Sequence, residues 1–98
     1  MAKIQEVRSI EGKSANDCYN AGLKAYPAAG FTVWKERSLA WLLMAKKKDK
    51  GVDVDSNLSA RPTSPAQVTL GLSSDAHSEE ELSAMAEQIF TALQQVLG

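Results

Sequence analysis

The chain has 98 residues, 44% of them hydrophobic and 23% charged, with 11 Lys and Arg against 12 Asp and Glu. This composition predicts one globular domain over residues 1–98 that builds its core without metal ions or disulfides. The net charge of -1 excludes a broadly basic nucleic-acid-binding surface, and the single Cys18 excludes an internal disulfide framework. No stretch is long and apolar enough for a membrane span or a signal peptide, so we expect a soluble cytoplasmic protein.

The N-terminal segment predicts a strand over residues 1–10 and a helix over residues 15–26. The apolar positions of the strand are Ile4, Val7 and Ile10, and the positions expected toward solvent are Lys3, Arg8 and Glu11. Ser14 caps the helix at its start, and Pro27 and Gly30 are expected to stop it. Three- and four-residue steps predict one buried stripe on this helix, formed by Ala15, Cys18, Tyr19, Leu23 and Tyr26.

The segment over residues 30–51 fits either a helix or two strands, because its middle part is rich in good helix formers. We interpret it as two strands, one at Phe31, Val33 and Trp34 and one from Leu39 to Ala45, with a reversal at residues 35–38. The next residues resemble a hairpin turn in which Gly51 takes a positive φ angle. Because a hairpin requires a strand before it, this turn favours the two-strand interpretation.

Two strands with strict alternation follow. In the first, the apolar face carries Val52, Val54, Leu58 and Ala60, and the polar face carries Asp53, Asp55, Asn57 and Ser59. In the second, Ala66, Val68, Leu70 and Leu72 alternate with Gln67, Thr69, Gly71 and Ser73. Pro62 and Pro65 predict a loop between these strands, since each lacks a backbone N–H. One face of each strand is therefore expected to be buried.

The C-terminal segment predicts a long amphipathic helix. Ser78 and Glu81 have the spacing of a capping box, which marks a helix start. Eight apolar residues predict a stripe that covers the sheet: Leu82, Met85, Ala86, Ile89, Phe90, Leu93, Val96 and Leu97.

The resulting element order is β-α-β-β-β-β-α, and the short reversals between consecutive strands predict an antiparallel sheet. Two helices must cover one face of that sheet, which gives an α+β two-layer sandwich. The pattern resembles the TATA-binding-protein-like and helix-grip folds. The elements that carry this resemblance are the capped helix from Ser14, the Gly30-Phe31-x-Val33 entry to the sheet, the Leu39 to Ala45 strand and the stripe from Leu82. The resemblance implies a fold and carries over no functional residue.

Two groups of residues have the types needed for metal binding or catalysis, and we interpret both as structural. Asp53, Asp55 and Asn57 alternate like the start of a calcium-binding loop, but residues 58 and 64 are not the required glycine and glutamate. Cys18 falls on an apolar helix stripe, and His77, which precedes the Ser78 cap, is expected to be a surface or cap-adjacent residue. We therefore predict no catalytic residue, no metal ion and no cofactor.

The segment from Leu39 to Ala45 is apolar on both of its predicted strand faces. Because two helices cover only one face of a sheet, the second face needs another cover. Trp34, a loop or lysine stems would supply this cover within the chain. Alternatively, a second copy of the chain supplies it, which predicts a homodimer.

The leading hypothesis is a non-enzymatic binding or assembly module that uses this apolar sheet surface. Its candidate residues are Trp34, Trp41, Leu42, Leu43 and Met44. The alternative is a small apolar ligand in a cleft between the sheet and the C-terminal helix, lined by Tyr19, Trp41, Met85 and Phe90. A third hypothesis is an enzyme whose residues meet only on folding. Nucleic acid is not predicted as a partner, because the lysine-rich residues 46–50 contain no aromatic residue for stacking. A membrane is not predicted either, because no stretch is long and apolar enough to span one.

Overall fold

Five antiparallel strands form a single sheet, and both helices pack on the same face of it. The computed structural model describes residues 2–98. The strands are β1 (Ala2–Ile10), β2 (Thr32–Arg37), β3 (Leu42–Asp49), β4 (Val52–Arg61) and β5 (Ala66–Ser74), and the helices are α1 (Ala15–Ala28) and α2 (Glu79–Leu97). The strand order is β1-β5-β4-β3-β2. The predicted α+β two-layer sandwich is confirmed.

Each helix begins where side chains satisfy its free backbone N–H groups. Ser14 Oγ accepts a hydrogen bond from the backbone N–H of Asp17 at 3.0 Å, and the Asp17 carboxylate accepts one from the backbone N–H of Ser14 at 3.0 Å. Ser78 and Glu81 repeat this arrangement at the start of α2, at 3.1 and 2.9 Å. These reciprocal capping boxes confirm both predicted helix starts. Neither helix within residues 2–98 is long and apolar enough to cross a membrane.

The space between the sheet and the helices is filled by apolar side chains. The side of the sheet that the helices cover is termed the inner face, and the opposite side the outer face. Gly22 lets α1 lie close to the sheet, because a Cβ atom there would be 2.8 Å from Leu43 Cδ1. A buried polar contact crosses this interface, between the hydroxyl oxygens of Tyr26 and Ser56 at 2.9 Å. Fully buried residues of the two layers include Val54, Leu58, Val68 and Leu70 from the sheet and Leu82, Ile89 and Leu93 from α2.

The predicted boundaries between the second and third strands are wrong. β2 continues through Arg37, and the chain reverses later, through a short 3₁₀ helix at Ser38–Ala40. Trp41 then takes a left-handed backbone conformation with φ of 49°, so β3 begins at Leu42 rather than at Leu39. Leu39 lies in the turn and is 97% exposed. The sequence prediction placed the reversal at residues 35–38 because these residues are polar. An edge strand tolerates charged side chains as readily as a turn does, so polarity alone does not distinguish the two.

Two smaller predictions also need correction. α1 runs to Ala28 rather than ending at Tyr26, with Pro27 inside its last turn, where losing one backbone hydrogen bond disrupts the helix least. Arg8 is not on the solvent-exposed outer face, although its side chain remains 41% exposed. It lies on the inner face of β1, and its guanidinium is 4.6 Å from the centre of the Phe90 ring. An arginine stem can cover apolar surface while its head remains partly solvated, which a simple charge pattern does not reveal.

The predicted hairpin turn between β3 and β4 is confirmed. Asp49 pairs with Val52, which leaves Lys50 and Gly51 as a two-residue loop with φ angles of 57° and 77°. Two consecutive positive φ angles are typical of the turn type whose twist matches that of the flanking strands.

Candidate functional site

A groove of about 410 Å³ opens on the outer face of the sheet. Residues from all five strands line it, and most of them occupy the alternate positions that the helices do not cover. The residues that define its shape are Gln5, Trp34, Leu42, Met44, Asn57 and Gly71. The groove therefore combines apolar and hydrogen-bonding side chains on one open surface.

Trp34, Leu42 and Met44 form one side of the groove, termed the apolar wall. The pairing of β2 with β3 shifts between Val33 and Lys35, so Trp34 is the extra residue of a β-bulge. Bulges redirect a side chain relative to the regular alternation of a strand. Trp34 is 54% exposed, whereas Leu42 and Met44 are half-buried. A large, exposed aromatic ring at the bulge therefore lies beside two smaller apolar side chains.

Gly71 and Asn57 form the floor of the groove. They face each other directly on β5 and β4. A Cβ atom at Gly71 would lie 2.6 Å from Asn57 Oδ1, so the missing side chain leaves room for the Asn57 amide. Asn57 also pairs with Met44 on β3, which brings a donor and acceptor group next to the apolar wall. The floor can therefore hydrogen-bond a ligand that lies against the wall.

Charged side chains stand at the margins of the groove. The Lys46 ammonium is 5.5 Å from the centre of the Trp34 ring, within the range of a cation–π contact. Asp55 pairs with Lys46 across β3 and β4 and also lines the groove, as does Lys3 of β1. Two ammonium groups and one carboxylate make the margin weakly basic, which favours a neutral or anionic ligand over a cationic one.

The structure divides the predicted site residues between the two sides of the sheet. Trp34, Leu42 and Met44 come together in the groove. Leu43 points to the inner face and is fully buried. The other four candidates pack in or against the core: Tyr19, Trp41, Met85 and Phe90. The predicted apolar sheet surface thus retains three of its five residues, and the side chains predicted to line a cleft under α2 are core-packing residues.

His77 was expected to be a surface or cap-adjacent residue. It directly precedes the Ser78 cap of α2, but it is not a surface residue, because it is only 6% exposed. Its Nδ1 lies 2.6 Å from Ser74 Oγ, and its Nε2 lies 2.6 Å from Asp49 Oδ2. The imidazole therefore joins the start of α2 to the ends of β5 and β3. Asp49 is 28 residues away along the chain, so no local pattern around His77 could reveal this partner.

Ser74, His77 and Asp49 include the residue types of a hydrolytic triad but not its arrangement. The nucleophilic serine of such a triad must reach a substrate carbonyl and contacts the imidazole nitrogen opposite the one held by the carboxylate, usually Nε2. Ser74 does contact the nitrogen opposite the one that Asp49 holds, but this nitrogen is Nδ1, and Ser74 is only 4% exposed, so its hydroxyl cannot reach a substrate carbonyl. An imidazole with its proton on Nε2 donates to Asp49 and accepts from the Ser74 hydroxyl, which satisfies all three groups. The cluster acts as a structural clamp.

Two other groups with titratable side chains belong to the core. Cys18 is fully buried, as predicted, and burial raises the pKa of its thiol, which disfavours the reactive thiolate. Burial likewise raises the pKa of the Tyr26 hydroxyl, although its hydrogen bond to Ser56 partly offsets this effect. Within residues 2–98, no three His, Cys, Asp or Glu side chains are arranged to hold a metal ion.

No protein-family model matches the sequence, and no curated protein matches it. The crystal structure of Ara h 8.0201 superposes with a TM-score of 0.68 at 8% identity, covering 98% of this chain and 97% of that chain. Protein CV1439 from Chromobacterium violaceum gives a TM-score of 0.66 at 14% identity, with coverage of 99% and 98%. The Zhui aromatase/cyclase from Streptomyces sp. R1128 gives 0.58 at 11% identity, with coverage of 99% and 92%.

At such low identity these structures show the fold alone, and they confirm the predicted helix-grip topology. One of the three is described as an enzyme, so this fold accommodates catalysis in at least one protein. A fold hosts many unrelated functions, and the function of this chain must be argued from its own site.

Proposed function

We propose that the chain is a binding module for a small amphipathic molecule, and that this molecule binds in the outer-face groove. The observation that carries the proposal is the bulged Trp34, which stands beside Leu42 and Met44 and faces the Gly71 floor. A groove of about 410 Å³ has the size of a small-molecule site rather than of a protein interface. The proposal keeps the predicted apolar sheet surface and changes its occupant from a second copy of the chain to a small ligand.

The chemistry of the groove indicates the class of ligand. A flat apolar group would stack on the Trp34 ring and cover Leu42 and Met44, which are otherwise half in contact with water. A polar group on the same molecule would reach the Asn57 amide across the Gly71 floor. The lysines at the margin favour an acidic substituent. The ligand class is therefore an aromatic or polycyclic molecule with a neutral or anionic polar end.

The outer face suits this role better than the space under α2. Side chains of the inner face and of α2 are fully buried against each other, so a ligand there would have to displace packed apolar groups. The outer groove is already open and needs no such rearrangement. The Asn57 amide in its floor can hydrogen-bond a ligand without changing protonation state, which supports the proposal of a binding role.

The test uses anilinonaphthalene sulfonate, a fluorescent molecule with flat apolar rings and an anionic group. Trp41→Phe leaves Trp34 as the single tryptophan, and energy transfer from Trp34 to the probe then reports binding in its vicinity. We expect saturable binding with transfer from Trp34, and Trp34→Leu should weaken the affinity by about tenfold. Gly71→Leu should weaken it as well, because its side chain would occupy the floor.

Leu39→Ala is the matched control, since Leu39 is apolar and 97% exposed but lies outside the groove. This variant should bind the probe as the parent does. If Trp34→Leu and Gly71→Leu bind the probe with unchanged affinity while remaining folded by circular dichroism, the proposed site is wrong.

A further inference from the structure

The two edges of the sheet differ in how well they resist pairing with another chain. The β2 edge is short, contains the Trp34 bulge and ends in the 3₁₀ turn at Ser38–Ala40. A bulge and short length both disfavour strand addition, whereas charged residues occur on both edges. The β1 edge has nine residues, Ala2–Ile10, in unbroken register with β5. Within residues 2–98 no other strand pairs with β1, so its outer backbone groups are available to a partner strand.

The side chains of β1 alternate regularly between the two faces of the sheet. Ile4, Glu6, Arg8 and Ile10 belong to the inner side, and Lys3, Gln5, Val7 and Ser9 are exposed on the outer side. Val7 is 51% exposed, so part of its apolar surface is in contact with water. An antiparallel partner strand would bury this side chain against a cross-strand neighbour.

We propose that two copies of the chain pair through β1, antiparallel and about a two-fold axis at Val7, so that one sheet runs through both copies. In this register, a residue of one copy lies opposite the partner residue that is equally far from Val7 on the other side, so their two numbers add up to fourteen. Val7 faces the partner's Val7, and Glu6 faces the partner's Arg8 in both directions. Ile4 faces the partner's Ile10, and Lys3 lies opposite the partner's Glu11, the first residue after that copy's β1. The pairs between Glu6 and the partner's Arg8 would add to the contacts that Arg8 already makes with Glu6 and Glu87 of its own chain, and every large apolar residue of the strand meets another.

Other two-fold registers lack this complementarity. An axis at Glu6 opposes two carboxylates, and an axis at Arg8 opposes two guanidinium groups, both of which are unfavourable. An axis at Gln5 or at Ser9 places a charged side chain opposite an isoleucine. Because the side chains of a strand repeat every two residues, the axis must pass through a residue for the inner faces of both copies to coincide. The sequence of β1 therefore selects one register.

The experiment is cross-linking of single-cysteine additions with oxidised glutathione. In the proposed register, Val7→Cys places two thiols directly opposite each other, with Cα atoms about 4.5 to 5.5 Å apart, a separation that a disulfide can span. Gln5→Cys is the matched control on the same face. Its two thiols would be four residue positions apart, about 13 Å, and cannot form a disulfide. Both variants keep the buried Cys18 unchanged.

We expect Val7→Cys to give a covalent dimer and Gln5→Cys to remain uncross-linked. Light scattering should show concentration-dependent dimerisation of the parent protein, and Val7→Lys should raise the dimer dissociation constant at least about tenfold. Gln5→Lys adds the same charge opposite a serine and should change that constant by less than about threefold. A parent protein that stays monomeric from micromolar to millimolar concentration, or a dimer that Val7→Lys leaves intact, overturns the proposal. Equal cross-linking of both cysteine variants overturns the register.

Discussion

The two faces of the sheet are built from the same strands but have opposite properties. On β4 and β5, the side chains of Leu58 and Leu70 point inward and are fully buried. Their chain neighbours Asn57 and Gly71 occupy outer-face positions and form the groove floor. A single residue step thus separates the packed core from the candidate ligand site. In a two-layer sandwich, the alternation of side chains along a strand therefore specifies one face that stabilises the fold and leaves the other face free for binding.

The largest expected difference between the faces is in stability. Leu58→Ala removes a fully buried side chain from the inner face and should lower the free energy of unfolding by about 2 to 5 kcal/mol. Leu42→Ala makes the same chemical change at a half-buried position of the outer face and should cost less than about 1.5 kcal/mol. Urea denaturation measures both values. Equal losses would contradict the division into a stabilising and a binding face.

The structural clamp of Ser74, His77 and Asp49 should give the next largest change in stability. His77→Ala removes both contacts of the buried imidazole and leaves Ser74 without its partner, so it should lower the free energy of unfolding by about 1 to 3 kcal/mol. Asp75→Ala, at an exposed neighbouring residue, is the control and should have little effect. Probe binding to the groove should not change in either variant. A His77→Ala variant as stable as the control would show that the clamp contributes nothing.

Two glycines allow the same substitution on opposite faces. Gly22→Ala directs a methyl group to 2.8 Å from Leu43 Cδ1 in the closed core and should destabilise by about 1 to 2 kcal/mol, even after the better helix propensity of alanine. Gly71→Ala places a methyl group 2.6 Å from Asn57 Oδ1, but the exposed Asn57 side chain can rotate toward solvent. We expect a stability change within about 0.5 kcal/mol for Gly71→Ala, measured by urea denaturation. The reverse ranking would mean that the outer face is the more tightly packed one.

The smallest effect concerns a surface contact at the start of α2. The Lys50 side chain, followed by the backbone N–H of Ser78, lowers the pKa of Glu81 from 4.5 to about 2. A carboxylate with a lowered pKa stabilises the fold fully above its unfolded value, and this contribution is lost as the pH falls from about 4.5 toward about 2. Glu81→Gln should therefore flatten the acid side of the stability profile in that window. At neutral pH the change should be small, because the contact is exposed.

Glu80→Gln is the control for this substitution, since Glu80 occupies the same first turn of α2 and is exposed. Thermal unfolding followed at several acidic pH values compares the two variants. Identical profiles for Glu81→Gln and the parent would show that the Lys50 contact does not form in solution.

Local sequence patterns were sufficient for most of the fold. The capping boxes at Ser14 and Ser78 depend on residues three positions apart, and the alternation of β4 and β5 depends on neighbours, so each is visible without knowledge of the rest of the chain. The turn before β3 was misplaced because a left-handed tryptophan has no sequence signature.

The candidate site was less accessible to sequence reasoning. The sequence analysis named Trp34, Leu42 and Met44 as candidates on an apolar sheet surface, and the pairing of β2 with β3 brings these three side chains to one face. The role of Gly71 depends on the Asn57 side chain on a neighbouring strand, and that of His77 on a distant aspartate. These features arise from cross-strand pairing, which a linear pattern does not encode.

The most direct test of the account is an amide NMR titration of the protein with anilinonaphthalene sulfonate. If the ligand site lies on the outer face, the largest shift changes should appear at Trp34, Met44, Asn57 and Gly71, and they should saturate together. Amides of α2, from Leu82 to Leu93, should shift little, because that helix lies on the other side of the sheet. Changes concentrated on α2 and on the inward residues of β4 and β5 would place the ligand under the helix and contradict the central claim.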